Sequence, residues 1–461
     1  MDDARVTALA VRSQENPVNG DRVDGMCRLS CRQDTRSTIL DALRLSFRTL
    51  VLRIIADENI PLLHAATAGL GDVRAMPGRA IDRAAAMQAD VLLVRSVTPV
   101  GQALLGGTPV RFVGTATAGT DHVDVEALRA LGVAWAAAPG SNAASVVDWV
   151  LAALLATAAD RSEALAVRPD GTPRTLAVLG VGQVGRRLAA RARALGLGVR
   201  LCDPPQARAA EAAGEPHGYL PLYDALDGAD IVSLHTPYIA DGPDATHHLV
   251  DAGALARLAP GAWVANAARG RCLDGDALLA ALGTGHVAEA LLDVWPHEPA
   301  PRYALAARCR IATPHVAGYA ADAKVRGTEV VAGALRRWLA GGSPSGGADL
   351  AQDLDAAALA PWGADAAFDA PRPAVTMPPD PATPTAALDA LARQGYDVRA
   401  DTARFRGGVP WDAADAARAA AFARLRKTYP LRREWGCLAV SGPVPPELRP
   451  AVTGGLGMTI A

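Results

Sequence analysis

An α/β fold built on parallel sheets is predicted for this chain by three observations. From residue 50 onward, short apolar runs alternate with Ala/Leu-rich stretches long enough to be helices. One such run, residues 175–179, leads directly into Gly180-Val181-Gly182-Gln183-Val184-Gly185 and then into a helical stretch ending near Leu195. A further run closes on Asp203, about 20 residues beyond the glycines, where a βαβ unit returns its second strand.

Composition bounds what such a fold could serve. The chain has 461 residues, 50% hydrophobic and 20% charged, enough for several domains with large cores. Lys+Arg 46 against Asp+Glu 48 gives a formal charge of −2, so no overall basic field draws it to nucleic acid or an anionic membrane, and neither partner is expected. The six cysteines, at 27, 31, 202, 272, 309 and 437, are too sparse for a disulfide scaffold and lack paired CxxC knuckles, so free thiols and no metal are expected. The apolar run over 143–159 is interrupted by Asp148 and falls short of the roughly 20 residues that span a bilayer, which predicts a buried helix. The amino terminus has no short apolar core before a small-residue cleavage site, so a cytoplasmic location is expected.

Residues 1–50 mix charges of both signs with Ser, Asn and Gly and show no strand pattern, which predicts a weakly ordered extension, with translation starting near Val51 or Leu52. Residues 50–56 form the first strand, ending in Asp57-Glu58-Asn59, and runs at 90–94, 110–114 and 133–137 continue the sheet. Functional residues in parallel sheets gather beyond the carboxyl ends of strands, which singles out Ser96 in Arg95-Ser96-Val97-Thr98 and Thr117 in the small-residue stretch 115–120. The same residue types also serve ordinary turns and helix caps.

The glycine motif has the strand before it and the helix after it that its chemistry needs. Gly180, Gly182 and Gly185, with Gln183 and Val184 between them, permit a tight turn whose N–H groups meet a pyrophosphate. The Asp203 carboxylate can accept hydrogen bonds from the adenosine ribose and repel a 2′-phosphate, arguing for NAD over NADP. It could instead be a cap before Pro204-Pro205. Runs at 229–237, 262–267 and 290–293 extend this second sheet, and the residues at their ends, Thr236, Ala267, Ala268, Arg269 and Asp293, should face the cofactor crevice. A last segment over 311–319 carries His315, Gly318 and Tyr319 and follows Glu298.

Taken together, residues 53–340 resemble the NAD-dependent D-2-hydroxyacid dehydrogenases. The resemblance rests on Asp57-Glu58-Asn59-Ile60-Pro61, Val94-Arg95-Ser96-Val97-Thr98, the stretch 112–122, Cys202-Asp203-Pro204-Pro205, and the Asn-x-x-Arg-Gly, Glu-Pro and His-x-x-Gly-Tyr patterns at 266–270, 298–299 and 315–319. It is narrowest to a branch that acts on a phosphorylated four-carbon acid in pyridoxal 5′-phosphate synthesis. Phe422-x-x-Leu425-Arg426-Lys427-x-Tyr429 and Arg432-Arg433-Glu434-Trp435 resemble that branch's carboxyl-terminal dimerisation domain, which generic members lack.

The resemblance implies a Rossmann-type NAD domain over 149–311 inserted into a flavodoxin-like substrate domain over 51–148 that is rejoined by 312–340. A linker and irregular start of the tail over 341–384, and a small α+β dimerisation domain over 385–461 making a homodimer, complete the expectation. Oxidising a 2-hydroxy acid needs a base for the hydroxyl proton, a cation for the carboxylate and a hydride acceptor. His315 suits the first role with Glu298 orienting it, and Arg269 suits the second with its planar fork of donors; the resemblance assigns the same roles. It also implies cofactor contact at Asp293 and Gly318 and substrate contact at Ser96, Thr117 and Tyr319.

A substrate phosphate needs positive charge. Arg95 is a local candidate, and an arginine between 426 and 433 of the partner subunit is a second, unless that cluster is a solvated basic face. A 3-phosphoglycerate dehydrogenase or a non-catalytic NAD-sensing protein remains open as an alternative.

Overall fold

The computed structural model describes residues 51–341, 373–379 and 381–461. The expected extension over 1–50 and most of the expected linker, 342–372, lie outside the described residues.

Most of the apolar runs become strands buried on both faces, as parallel sheets covered by helices require, while the edge strand Gly198–Cys202 is only part-buried. The first sheet comprises β1 (Arg53–Asp57), β2 (Asp72–Met76), β3 (Val91–Val94), β4 (Phe112–Thr115) and β5 (Ala134–Ala136), in the order β2-β1-β3-β4-β5, all parallel. β3 and β4 are buried at every position. The sequence reading did not anticipate β2, because this edge strand is largely exposed and carries Asp72 and Arg74 in place of an apolar run.

The second sheet comprises β6 (Thr175–Leu179), β7 (Gly198–Cys202), β8 (Ile231–Leu234), β9 (Ala262–Asn266), β10 (Val287–Leu292) and β11 (Ile311–Ala312), in the order β11-β10-β9-β8-β6-β7. The order reverses between β6 and β8, which pair in register Leu179↔Leu234. A crevice opens outside the carboxyl ends of the strands at such a switch point.

Helix α1 (Ala143–Asp160) runs unbroken through the expected boundary at 148/149. Its apolar stretch is 83% buried; Trp149, Leu151, Leu154 and Leu155 are sealed in the core with Leu176, Ile231 and Leu291 of the second sheet. Full burial of each such leucine stabilises the fold by about 1.5–3 kcal/mol. The Trp149 indole N–H is satisfied by Thr313 Oγ1 at 3.0 Å. Helix α2 (Gln183–Ala194) follows the glycine loop, and helix α3 (Ala321–Leu339) returns to the first sheet, packing Val330, Val331, Ala334 and Leu335 with Ile54, Val91, Leu93 and Phe112.

The tail contributes helices α4 (Pro384–Gly395), α5 (Val398–Gly408) and α6 (Asp415–Lys427) and a third parallel sheet, β12 (Val375–Thr376), β13 (Ala439–Ser441) and β14 (Thr459–Ile460). Its ordered part therefore starts by residue 375, not at the expected 385. The surrounding prolines at 371, 373, 378 and 379 have the composition of a linker, yet Val375 is fully buried with Leu388, Leu391 and Val440. Tail residues Phe405, Val409, Phe422 and Leu425 join the core on the other face of the second sheet.

Candidate functional site

The carboxyl ends of both sheets open onto one cleft of about 600 Å³. On the second-sheet side, the three motif glycines answer three different demands. Gly180 has φ +85, and a Cβ there would sit 2.8 Å from the His235 backbone at the end of β8. At Gly185 a Cβ would meet Gly180 O at 2.0 Å, so α2 could not approach β6. Nothing lies within 4 Å of a Cβ at Gly182, and this open space at the start of α2 is where a pyrophosphate would be cradled. Thr236 Oγ1, in the cleft wall, is buried without a hydrogen-bond partner among the described residues. An orphaned hydroxyl and an open glycine cradle both fit a dinucleotide.

Asp203 combines two jobs. Its Oδ2 accepts from Val181 N at 2.8 Å, pinning the glycine loop, and its Oδ1 accepts from Gln206 N at 3.1 Å, capping the helix Pro204–Ala213. Gln206 Nε2 also donates to Oδ2, at 2.7 Å; the cap reading is therefore correct as far as it goes, and one acceptor position on Oδ1 is left for a ribose hydroxyl. Replacing Asp203 with Ala is expected to lower stability by about 1 kcal/mol through the cap and to weaken NAD about tenfold. The ratio of kcat/KM for NAD and NADP should fall with it; an unchanged ratio would refute a role in cofactor choice.

His235, also at the end of β8, is fully enclosed and bonded to Ser233 Oγ at 2.9 Å; burial pushes its pKa down to about 3, so it stays neutral.

Arg269 is presented by a turn built on Asn266. The buried Asn266 side chain donates to Arg269 O at 3.0 Å and accepts from Ala268 N at 3.0 Å. Gly270 follows because any Cβ there would lie 2.0 Å from the Trp295 backbone. The guanidinium is paired with Asp121 of the first-sheet side, Nη2 to Oδ2 at 2.8 Å and Nε to Oδ1 at 3.2 Å. Desolvation works to raise the Asp121 carboxyl, but Arg269 outweighs it and holds the group below the usual carboxylate range. The sequence reading missed Asp121, which has no motif of its own.

Opposite lies His315, a non-glycine residue at φ +59. That backbone is held by Asp293, buried at the end of β10: its O accepts from His315 N at 2.7 Å, and its carboxylate accepts from Val316 N, Ala317 N and Thr313 Oγ1 at 2.8, 2.9 and 2.5 Å. Asp293 thus organises the loop while lining the cleft. His315 Nδ1 lies 2.8 Å from Glu298 Oε2, and Glu298 Oε1 accepts from Trp295 N at 2.8 Å. Burial works to raise the Glu298 carboxyl; the charge and hydrogen bond of His315, with the Trp295 N–H and the field of Arg426, prevail and hold it low. Glu298 is therefore an anion fixing the imidazole, with Nε2 left to exchange a proton.

Of the other expected residues, Gln183, Val184, Ala267, Ala268 and Gly318 line the cleft from the second-sheet side, and Ser96, Thr117 and Tyr319 line its other wall. The Thr117 hydroxyl donates to Gly119 O at 2.8 Å and meets Thr115 Oγ1 at 2.8 Å. A Cβ at Gly318 would collide with Asn142 Nδ2 at 2.3 Å.

Arg432 and Arg433 are not in the cleft. They are 8% and 3% exposed, in contacts within their own chain. Arg432 Nη2 donates to Ser145 O and Ala317 O, both at 2.7 Å, and Arg433 Nη2 pairs with Asp322 at 2.7 Å. For these two arginines the expectation of reaching a phosphate from the partner subunit is thereby corrected, as is the reading of a solvated face, which holds in that cluster only at residues such as the exposed Lys427. Arg426 alone of that cluster lines the cleft, and it does so in its own chain. Lys324, also in the cleft wall, was missed because a lone lysine near a helix start reads as solvated.

The fold and this cleft define an NAD-dependent oxidoreductase of the D-2-hydroxyacid dehydrogenase class. Residues 157–317 match the family described as D-isomer specific 2-hydroxyacid dehydrogenase, NAD binding domain, and residues 372–449 match a domain of unknown function, DUF3410. The TT0316 protein from Thermus thermophilus superposes with a TM-score of 0.51 at 26% identity, over 64% of this chain and 99% of its own. The erythronate-4-phosphate dehydrogenase of Salinibacter ruber is 50% identical over 89% of this chain and 99% of its own length, and that of Pseudomonas paraeruginosa 46% identical over 83% and 93%. The chain belongs to the erythronate-4-phosphate dehydrogenase family.

Proposed function

We propose that this chain oxidises 4-phospho-D-erythronate to (R)-3-hydroxy-2-oxo-4-phosphooxybutanoate with NAD, as in vitamin B6 biosynthesis. The observation that carries the chemistry is the His315–Glu298 pair at 2.8 Å in the cleft that also holds Arg269; the name of the relatives carries the substrate. Arg269 exchanges its pairing with Asp121 for the substrate carboxylate, orienting the 2-hydroxyl toward His315. His315 Nε2 takes the hydroxyl proton, and Glu298 compensates the imidazolium that results. Bound NAD supplies the acceptor for the hydride leaving the same carbon. The 2-oxo group, NADH and the proton on His315 balance the step. Arg269 stabilises charge developing on the oxygen, while Ser96, Thr117 and Tyr319 contact the substrate chain and Asp293, Thr236, Ala267, Ala268 and Gly318 border the cofactor.

Division of labour between the sheets is part of this reading: the first sheet with α3 holds substrate and the second holds NAD. A homodimer in the cytoplasm, without nucleic-acid or membrane partners, is also inferred. Four described cysteines, Cys202, Cys272, Cys309 and Cys437, are free thiols, which suits a reducing compartment.

The test is NADH formation by the purified protein with 4-phospho-D-erythronate beside D-3-phosphoglycerate, and, where NADH stays bound, consumption of an added 2-oxo acid as the readout in its place. Selectivity for the four-carbon acid is expected. Activity confined to the three-carbon acid, or tight NAD binding with turnover of neither, would overturn the assignment.

A further inference from the structure

We propose that Arg95, Lys324 and Arg426 form a phosphate-binding subsite around Tyr319, completed in the same chain by the carboxyl-terminal tail. This rests on the reading of the substrate as a phosphorylated acid, and it gives the tail a part in recognition.

The three cations come from separate elements: Arg95 from the end of β3, Lys324 from the first turn of α3 and Arg426 from the end of α6. All three line the cleft. Lys324 Nζ lies 5.2 Å and Arg426 Cζ 5.6 Å from the centre of the Tyr319 ring, which Tyr429 of the tail meets edge-on at 5.9 Å. The fields of Tyr319 and Asp57 reach Arg95, and the field of Arg95 reaches Lys324.

Several cations that hold this chain together are paired with a carboxylate within 3 Å: Arg191 with Asp148, Arg433 with Asp322 and Arg326 with Glu434. None of the three cleft cations forms such an ion pair among the described residues. Arg95 Nη1 and Arg426 Nε are buried without a hydrogen-bond partner among them. Unpaired buried donors and converging like charges are unfavourable unless an anion answers them. The strain registers on Lys324, whose pKa burial and Arg95 push down to about 8. A phosphate dianion relieves both: the guanidinium forks offer paired donors and the ammonium a compact charge. With Arg269 reserved for the carboxylate, the cleft has separate cations for the two anionic ends of a short phosphorylated acid.

The test compares kcat/KM for 4-phospho-D-erythronate with that for D-erythronate in the NAD-loaded full-length protein. Arg426→Ala and Lys324→Gln should each reduce the preference for the phosphorylated acid by about 10–100-fold, chiefly through KM, with Arg426→Lys recovering part of it. Inorganic phosphate supplies a second readout, as a competitive inhibitor and as a ligand that raises the wild-type unfolding temperature; both effects should weaken in the variants. Should Arg426→Ala fail to fold, Lys324→Gln carries the same test. An unchanged preference together with unchanged phosphate inhibition in a folded variant overturns the subsite. Failure of the wild type to oxidise 4-phospho-D-erythronate would instead overturn the functional reading, and phosphate binding would still judge the subsite.

Discussion

Replacing His315 with Ala is expected to lower kcat by about 10²–10⁴-fold, the range that a positioned general base supplies, with much less change in KM. The interaction lost belongs to the proton-transfer step, whereas ground-state binding rests on Arg269 and the opposite wall. The pH dependence separates His315 from its partner. The Glu298 carboxyl is held low, so its contribution is present above the ordinary carboxylate range and is lost only as pH falls through that depressed value. A loss of kcat/KM that sets in above that value is therefore not due to Glu298. Glu298→Gln should keep an acid limb on the profile at reduced activity, because the imidazole is still present, and His315→Ala should abolish the limb. A limb surviving in His315→Ala would move the base elsewhere in the cleft, provided the chemical step limits the rate.

What made this machinery legible in the sequence is that its constraints are local. Gly180, Gly182 and Gly185 occupy a strand-turn-helix junction whose sterics depend on close neighbours, and Asn266, Arg269 and Gly270 form a turn held by its own side chains. The resemblance to known dehydrogenases then tied Glu298 and His315, 17 residues apart, to a single role. Legibility failed where the partner is remote. Nothing near Arg433 announces Asp322, 111 residues away, so its charge looked available for a ligand. Asp121 and Lys324 acquire meaning only when two sheets close on one cleft. At β12 the surrounding prolines outweighed one buried valine.

Arg433→Ala is expected to destabilise the protein by about 3–5 kcal/mol, the range for breaking a buried ion pair from one side. Asp322, 9% exposed, accepts from Arg433 Nη2 at 2.7 Å, from Arg433 Nε at 3.0 Å and from Glu434 N at 2.9 Å. Desolvation works to raise its carboxyl, and Arg433 with the Glu434 N–H holds it below the usual range. Without the guanidinium, a buried carboxylate at the start of α3 is left under-compensated while the tail loses its anchor. The neighbouring contacts make the same junction: Glu434 pairs with Arg326 at 2.8 Å and accepts from Ser145 Oγ at 2.7 Å, and Trp435 N donates to Asp148 Oδ2 at 2.9 Å. The motif therefore ties the tail to α1 and α3 together, which is why the loss should be large for one exposed-type residue. The midpoint of urea denaturation reads the effect. A carboxyl held low stabilises above its unfolded pKa and ceases to do so as pH falls through the folded one, so the gap between wild type and variant should narrow under acid. Asp322→Ala combined with Arg433→Ala should recover part of the loss, since the uncompensated charge is removed with its partner. An unchanged midpoint, or a double variant no better than the single, would mean that Arg433 does not act through Asp322.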